Sequence, residues 1–466
     1  MISALARRAR TSALFLAASG RLGVGWWLLV LVGVYLVLQI VFVVASFGSA
    51  LVPNGPVTSA LHTGLASNLW STVDYPADGV GHASERYPFA GISDAFTQCI
   101  ALTMNVPHPD GGLLDAAFAG RHLGTCSEAA PALEQLFAGA TDVPERTYNR
   151  YWNGYSILTR PLLVLGGVGA VRVVVAALFA AALVFAAVML GRRVSRLAPL
   201  ALVPVLLSTN LLTQTLDAFP HVLAFAVLLA GVGVGAWVGR ASLPFIFLTG
   251  AAVAGVFNFV DYLLNPPVAW SLFVFAVVAA RWAGGRVGIR GLWSAGGTAA
   301  LAWIVGYGAT WVTRWAIAIA IFGDSAWKEI LSVIGTRMQG QSDGLVLAGP
   351  LEASKRNVGF WLTTIPTAPA VAVVSALAVV VVLVVLAVQR RWQAIGVFAA
   401  LAAPSMLVPL WFELLNNHSQ VHLFFVYRAV PAAVGIALAA ALVVVARPRR
   451  RRDTTAPAAA NEGIAL

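Results

Sequence analysis

The sequence predicts an all-α protein that crosses a membrane many times, and three observations support this. Hydrophobic residues make up 59% of the 466 residues and charged residues only 11%, whereas soluble domains carry about 25% charged residues. Apolar runs of roughly the 20 residues that span a bilayer recur along the chain. Arginines cluster at the ends of these runs. The positive-inside rule therefore explains the net charge of +11, and we expect no nucleic-acid partner.

The first apolar run, residues 25–50, predicts an uncleaved transmembrane helix after a cytoplasmic N-terminus at 1–24. It is longer than the roughly 7–15-residue core of a signal peptide, and cleavage between Ala45 and Ala50 is the alternative. Hydropathy predicts about ten spans in all, with nine of them in a transmembrane domain at 161–446. These nine are expected at about 166–190, 197–213, 220–238, 243–260, 267–280, 292–312, 360–388, 393–412 and 426–446.

Arginine-rich turns at alternate ends of the spans predict the orientation of the protein. They place both termini in the cytoplasm and the chain in the plasma (inner) membrane. All acidic residues except Asp453 and Glu462 then face outward, which indicates a polar, functional outer face that includes an outer loop at 324–359. The basic tail, 447–466, is expected to be disordered, with its arginines on anionic lipid head groups.

The polar segment 51–160 is predicted to be a large extracytoplasmic loop domain, and it holds about half of the acidic residues and both cysteines. Two cysteines in one loop of an oxidising space favour a disulfide between Cys99 and Cys126 over two separate buried thiols. Closing a loop of this length contributes on the order of 3–4 kcal/mol.

Three carboxylates are candidates for catalysis. Asp74 and Asp94 lie in the loop domain, and Asp261 lies between two predicted spans. Ionisable residues at membrane helix ends are costly and indicate function. Two plainer alternatives remain open: Asp94 caps a helix that begins at 95, and water in a short polar turn satisfies Asp261.

The candidate substrate-binding residues are polar or aromatic and fall on the same predicted face. They are Glu85, Arg86, Trp152, Asn153, Arg160, Gln214, Asp217, His221, Asn265, Arg314, Asn417, His418, His422 and Arg428. Aromatic faces beside Asn and Arg suit a carbohydrate or a lipid phosphate, which guanidinium binds through a bidentate fork. An interfacial belt explains some of the aromatic residues equally well. His418 and His422 have an i,i+4 spacing that suits a divalent metal, but no third ligand is fixed by the sequence, so the cofactor stays unknown.

Four motif groups carry a resemblance. They are Tyr151-Trp152-Asn153-Gly154-Tyr155 with Arg160-Pro161-Leu162-Leu163; Phe259-Val260-Asp261-Tyr262-Leu263 with Pro266; Gly306-Tyr307-Gly308 with Trp311 and Trp315; and Asn417-His418-Ser419 with His422, Tyr427 and Arg428. Together, over about 90–430, they resemble a family of uncharacterised bacterial multi-pass membrane proteins. That family has His where Asn153 stands and Lys where Arg314 stands, and it brings no activity with it.

The layout is similar to that of the GT-C glycosyltransferases, which have an inside N-terminus, a long first outer loop and outward-facing acids and arginines. The resemblance implies transfer of a sugar from a polyprenyl-phosphate donor to a cell-envelope glycan, lipid or protein. Asp94 or Asp74 would be the base, because Asp74 has the superfamily's position and Asp94 the smaller family's. Arg428 and Arg160 would stabilise the lipid phosphate, and Asp261 and His418 would position the sugar or a metal.

Two other functional classes remain. A carrier or flippase of a lipid-linked envelope precursor would place charges at mid-membrane in broken helices and internal repeats. The sequence shows no convincing repeat, and its polar residues gather at one face. A non-catalytic membrane scaffold would tolerate replacement of the outer acids. No Walker A or Rossmann glycine pattern supports a soluble-cofactor enzyme.

Overall fold

The structure is a computed structural model that describes residues 24–75, 80, 81, 91, 94–106, 112–285, 287–340 and 349–446. This part of the chain is almost wholly helical. Its one β-ladder pairs β1 (Arg121–His122) with β2 (Arg146–Thr147) in antiparallel register. The helices are α1 (Val24–Ala50), α2 (Asn54–Ala66), α3 (Ala95–Thr103), α4 (Leu113–Phe118), α5 (Cys126–Phe137), α6 (Ser156–Arg193), α7 (Val203–Leu207), α8 (Phe219–Val238), α9 (Leu243–Val260), α10 (Pro266–Ala283), α11 (Ile289–Phe322), α12 (Asp324–Gln339), α13 (Glu352–Thr364), α14 (Ala368–Val388), α15 (Trp392–Ala402), α16 (Leu407–Leu414), α17 (Asn416–Val421), α18 (Leu423–Val426) and α19 (Ala429–Val445).

Within these described residues, nine helical segments are long and apolar enough to cross a bilayer. Seven are single helices, namely α1, α6, α8, α9, α10, α11 and α14. The other two are Trp392–Leu414 and Leu423–Val445, which each join shorter helices. A backbone in lipid must satisfy its own hydrogen bonds, and helices do so. The prediction of an all-α, multi-pass membrane protein is therefore confirmed.

The predicted span at about 197–213 is wrong as a continuous helix. A 3₁₀ turn (Ala198–Ala201) and the short α7 are followed by turns as far as Asp217. Proline stands near the start of both short helices. The Ser208 and Thr209 hydroxyls then donate to carbonyls four residues earlier, at 2.6 and 2.7 Å. Proline and back-bonding hydroxyls both disturb a regular helix.

This broken segment nevertheless runs between the two ends of the bundle. It leaves the end of α6, where the Arg193 carbonyl accepts a hydrogen bond from Arg240 at 2.6 Å. Its Asn210 then reaches Asp94, at 3.3 Å, in the segment 51–155, which is called the outer segment after its predicted side of the membrane. The connection is therefore a crossing built from short pieces.

Other boundaries also differ from the hydropathy pattern. Helix α6 begins ten residues before the predicted 166 and is interrupted by non-helical Gly166 and Gly167, of which Gly167 has φ +68°. Helix α11 extends to Phe322. The expected span at 360–388 is divided at Ile365 between α13 and α14. Residues 161–170 and 315–323 thus belong to the helices beside them.

The outer segment packs across one end of the bundle. Helix α2 lies against α6, where Gly64 leaves room for Val168. Cys99 of α3 and Cys126 of α5 are fully buried and joined by a disulfide, which holds the two helices together. Leu102 and Leu133 belong to the same buried cluster.

We expect loss of this disulfide to loosen the outer segment selectively. In the Cys99→Ser, Cys126→Ser double variant, the free energy of unfolding of that segment should fall by on the order of 3 kcal/mol, because the 27-residue separation is no longer closed. Limited proteolysis of the purified protein in detergent should show earlier cleavage within 51–155, with the long helices still protected. Exposed Ser67→Ala is the control, and unchanged protease resistance in the double variant would contradict the prediction.

Candidate functional site

A fully buried ion pair joins the outer segment to the membrane helices. Asp94 is 1% exposed and Arg428 0% exposed, and Arg428 Nη2 donates to Asp94 Oδ2. The remaining guanidinium groups also have partners: Nε donates to Asn210 Oδ1 at 3.2 Å and Nη1 to His221 Nδ1 at 3.1 Å. Tyr427 donates its hydroxyl to the same Asn210 oxygen at 2.9 Å. Arg428 therefore has every part of its guanidinium engaged within the chain.

The Arg428 contact fixes the tautomer of His221. Arginine only donates, so Nδ1 accepts and the neutral ring carries its proton on Nε2. That nitrogen lies 3.5 Å from Asp94 Oδ1, which has no hydrogen-bond partner among the described residues. Asp94 occupies the N-cap position of α3, but its side chain makes no capping hydrogen bond. The capping alternative does not describe it.

Asp74 holds the start of α5 instead of joining this group. Its carboxylate accepts the Thr125 hydroxyl at 2.9 Å, and the Ser127 backbone N–H and hydroxyl at 3.2 and 2.5 Å. These contacts satisfy the first turn of the helix that begins at disulfide-bonded Cys126. The geometry gives Asp74 a structural task.

Asp261 holds the turn between α9 and α10. Its carboxylate accepts the backbone N–H groups of Leu263, Leu264 and Asn265 at 2.9, 3.1 and 3.4 Å. Leu263 has φ +75°, a left-handed conformation that is costly for a branched side chain. Burial raises the pKa of Asp261 to about 7, and the three N–H groups oppose that rise. Asp261 stabilises an unusual turn, which accounts for its burial without catalysis.

Arg160 is a cross-link between irregular segments. It donates to the carbonyls of Ser49, Val52 and Asn105 at 3.0, 2.8 and 2.6 Å, and to the Asn54 side chain at 2.6 Å. The three carbonyls lie at or just beyond the C-terminal ends of α1 and α3, where helical carbonyls lack partners within the helix. Arg160 is thus bound by its own chain, and the geometry does not offer it to a lipid phosphate.

Arg314 and Asp217 also have structural partners. Arg314 donates to the carbonyls of Tyr151 and Phe118 at 2.7 and 2.6 Å, although its Nη1 has no partner among the described residues. Asp217 pairs with Arg172 at 3.2 Å and is half exposed. These contacts tie the outer segment and the broken crossing to the long helices.

The other predicted binding residues are dispersed. The Trp152 ring lies tilted against Phe259, and its indole N–H donates to the Thr310 carbonyl at 3.0 Å. Asn153 has a left-handed backbone at φ +56°. Gln214 and Asn265 are buried, and Asn417 donates to the Gly340 carbonyl at 2.7 Å. Glu85 and Arg86 lie outside the described residues.

A cavity of about 170 Å³ lies beside these groups, between α11, α12 and the Leu263 turn. Three aromatic side chains form much of its wall, namely Tyr151, Trp311 and Trp315. The two tryptophan rings stack with centroids 5.4 Å apart, and Tyr151 meets Trp311 edge-on at 6.2 Å. Two arginines, Arg150 and Arg337, also line this cavity.

The two arginines differ in how they are engaged. Arg150 pairs with Glu329 at 2.9 Å and lies over the Tyr148 ring at 3.9 Å. Arg337 donates to His422 Nε2, and no carboxylate pairs with it in the described part of the chain. Among the described residues, Arg337 is therefore the arginine of this cavity whose charge no carboxylate balances.

Two neutral histidines adjoin Arg337. Burial, reinforced by the nearby Arg337 charge, holds the pKa of both His418 and His422 well below the usual range. His418 Nε2 lies 3.0 Å from the Leu263 carbonyl and donates to it. The lone pair of His418 is then on Nδ1, which has no partner among the described residues.

The buried ion pair and the cavity are neighbours. The Phe425 ring lies between them, 5.0 Å from His221 on one side and 5.2 Å from His422 on the other. The structure thus brings Asp94, His221, His418, His422 and Arg428 into one region. Across the described residues, no group of three or more His, Cys, Asp or Glu side chains could hold a metal ion.

None of the residues that line the cavity was among the predicted site residues, although Tyr151, Trp311 and Trp315 stand in the motifs that carry the resemblance. Arg150 directly precedes the aromatic motif that begins at Tyr151, so its position was a usable signal. Glu329 and Arg337 carry no such signal, because their partners lie 179 and 85 residues away along the chain.

We expect the buried ion pair to stabilise the fold strongly. Asp94→Asn or Arg428→Gln alone leaves one buried group uncompensated and should cost about 3–5 kcal/mol. The double variant should cost clearly less than the sum of the two. Unfolding in mixed micelles measures the free energy of unfolding of each single variant and of the double variant. Arg146→Gln, at the exposed Arg146–Glu128 pair, is the control and should change stability by about 1 kcal/mol or less. Strict additivity of the Asp94 and Arg428 effects would refute the coupling.

Asp261 predicts a pH dependence of stability. Its folded pKa of about 7 exceeds the ordinary 3.8, so folding favours its neutral form. That contribution is complete below about pH 4 and is lost as the pH rises through about 7. Thermal unfolding between pH 4 and 8 should show this loss in the wild type and not in Asp261→Asn, whose baseline stability is lower. Exposed Asp142→Asn should keep the wild-type profile, and a flat wild-type profile would disprove the assignment.

The geometry divides the predicted site residues into two sets. Asp74, Asp261, Arg160 and Arg314 hold the fold locally, while the group around Asp94 and the cavity around Arg337 form the polar centre.

No protein-family model matches the chain, and no curated protein or solved structure is detectably similar to it.

Proposed function

We propose that this protein is a membrane glycosyltransferase of GT-C-like layout. It would transfer a sugar from a polyprenyl-phosphate donor to a cell-envelope glycan, lipid or protein. In this proposal the membrane is the plasma (inner) membrane, both termini are cytoplasmic and the outer segment is extracytoplasmic. The cavity beside Arg337 is the observation that carries the proposal, since stacked aromatic rings and an arginine without a carboxylate partner among the described residues line it together.

The aromatic walls of the cavity suit the apolar face of a sugar ring. One face of a sugar ring presents mainly C–H groups and packs on flat aromatic surfaces such as Trp311 and Trp315. The Tyr151 ring adds a second wall at an angle. A cavity of about 170 Å³ at the end of the helix bundle can take one sugar unit while the prenyl chain remains in the bilayer.

Arg337 is the proposed phosphate ligand. A guanidinium pairs with phosphate oxygens through parallel N–H donors. Arg428 and Arg160, which the sequence favoured for this role, already donate to groups of their own chain. Arg337 therefore replaces them in the proposal.

His418 is the proposed base. The acceptor oxygen would form a bond to the anomeric carbon, the carbon–oxygen bond to phosphate would break, and its electron pair would leave with the phosphate. The acceptor proton would pass to His418 Nδ1, which carries the lone pair. Phosphate bound at Arg337 would offset the charge that lowers the pKa of His418, so the base would strengthen when the donor is bound.

The broken crossing at 194–217 supports a second candidate, a carrier or flippase of the lipid-linked precursor. Carriers use interrupted helices beside buried charges, and Asn210 of this segment contacts both Asp94 and Arg428. The polar groups nevertheless meet at one end of the bundle, which favours the transferase.

Complementation of a deletion strain tests the proposal. Arg337→Gln should reduce transfer by about 10²-fold, since a charged donor to the leaving group is lost, and Arg337→Lys should recover part of it. His418→Gln should also abolish transfer, because the proposed base is lost. Lys328→Gln is the matched control, because it removes an exposed cation from the same helix, α12.

The readout is the set of envelope glycans together with the sidedness of the lipid-linked sugar. A transferase defect leaves donor sugar accumulated on the outer leaflet, where an added glycosidase in spheroplasts can remove it. Accumulation on the inner leaflet would instead identify a carrier. Full rescue of the glycan profile by both Arg337→Gln and His418→Gln would contradict the transferase proposal. The non-catalytic scaffold would then be the remaining interpretation.

A further inference from the structure

A second, larger cavity of about 990 Å³ lies at the opposite end of the helix bundle from the outer segment. It lies between the starts of α11 and α15, beside the ends of α10 and α19. Among its described lining residues, three are arginines, namely Arg290, Arg390 and Arg391, and none is acidic. Within the described part of the chain, none of the three guanidinium groups pairs with a carboxylate.

These arginines differ from two others at this end. Arg240 and Arg281 donate to the carbonyls of Arg193 and Ala241, at 2.6 and 2.5 Å. Such contacts satisfy carbonyls at helix ends, where cations are favourable. The cavity arginines have no comparable bond among the described residues, so the positive-inside rule explains their side of the membrane but not their gathering around one cavity.

Two of the cavity arginines stand where a cation is unfavourable. Arg290 is in the first turn of the 34-residue α11, and Arg391 is the N-cap residue of α15. The N-terminal end of a helix carries roughly half a positive charge. Neither helix has a side-chain cap or an acidic residue in its first turn. Positive charge from the side chains and from both helix ends therefore adds up in one concave space, which an anion would balance.

The remaining walls point to a lipid as the source of that anion. Ile289, Val397 and Val444 supply apolar surface, and Trp282 and Trp392 are tryptophans at a helix end. Trp392 is 66% exposed. Tryptophan is enriched at the level of lipid head groups. Apolar walls next to arginines suit a molecule with a phosphate and attached acyl chains better than a small soluble anion.

We propose that this cavity binds the head group of an anionic phospholipid, with its phosphodiester held by Arg290, Arg390 and Arg391. Basic pockets between membrane helices bind anionic head groups in this way. The site is independent of the proposed sugar transfer, which lies at the other end of the bundle.

Native mass spectrometry of the full-length protein tests the site. The protein is titrated with phosphatidylglycerol or with phosphatidylcholine in detergent. We expect the wild type to retain phosphatidylglycerol preferentially. Arg290→Gln with Arg391→Gln should weaken its binding by about thirtyfold, at about 1 kcal/mol for each lost cation. The charge-preserving pair Arg290→Lys with Arg391→Lys should recover most of the binding.

The matched control is Arg192→Gln with Arg196→Gln, which removes two exposed arginines from the same end but outside the cavity. Equal losses in the control and the cavity variant, or no loss in either, would overturn the proposal. Thermal unfolding without added lipid verifies that the variants are folded. Stabilisation of the wild type by inorganic phosphate as strong as that by phosphatidylglycerol would assign the cavity to a soluble anion and refute the lipid assignment.

Discussion

The ion pair between Asp94 and Arg428 is the interaction on which the outer layer of the protein depends. It connects residues 334 positions apart, so the outer segment and the last membrane helix are held in one arrangement. A buried charge without a partner costs several kcal/mol. The surrounding polar groups supply hydrogen bonds to the guanidinium beyond the one that the ion pair provides. His221 faces both partners, and Asn210 fixes the guanidinium from the broken crossing. The Phe425 ring packs against His221 of this group on one side and against His422 on the other.

The same physical constraint explains which cations are structural. Backbone groups at the ends of membrane helices need partners that neither water nor lipid supplies in the interior. Arg160 and Arg314 meet this need because each guanidinium reaches carbonyls of two separate segments. An arginine used in this way has little capacity for a ligand. The cations proposed for binding are cavity-lining arginines that neither pair with a carboxylate nor donate to a backbone carbonyl among the described residues, which holds for Arg337 at one end and for Arg290, Arg390 and Arg391 at the other.

The sequence predicts the membrane helices well because an apolar run of sufficient length has no other stable state in lipid. It fails at 197–213, where two prolines and the Ser208 and Thr209 hydroxyls break an otherwise apolar run. Asp94, His221 and Arg428 were selected individually as ionisable residues near helix ends, yet their mutual pairing depends on how three distant segments pack. Asp261 was selected for the same reason. Its bonds to the backbone depend on the left-handed conformation of Leu263 in the turn, which the sequence does not show.

The protonation of the neutral histidines His418 and His422 depends in part on the charge of Arg337 beside them. Burial opposes the protonation of His418, and so does the cation of Arg337 beside it. Of these two effects, burial persists when a ligand binds, whereas an anion at Arg337 would offset the repulsion. Under the proposed function, the basicity of His418 would therefore depend on whether a phosphate is bound at Arg337. Phosphate binding and proton uptake would then be coupled at one end of the bundle.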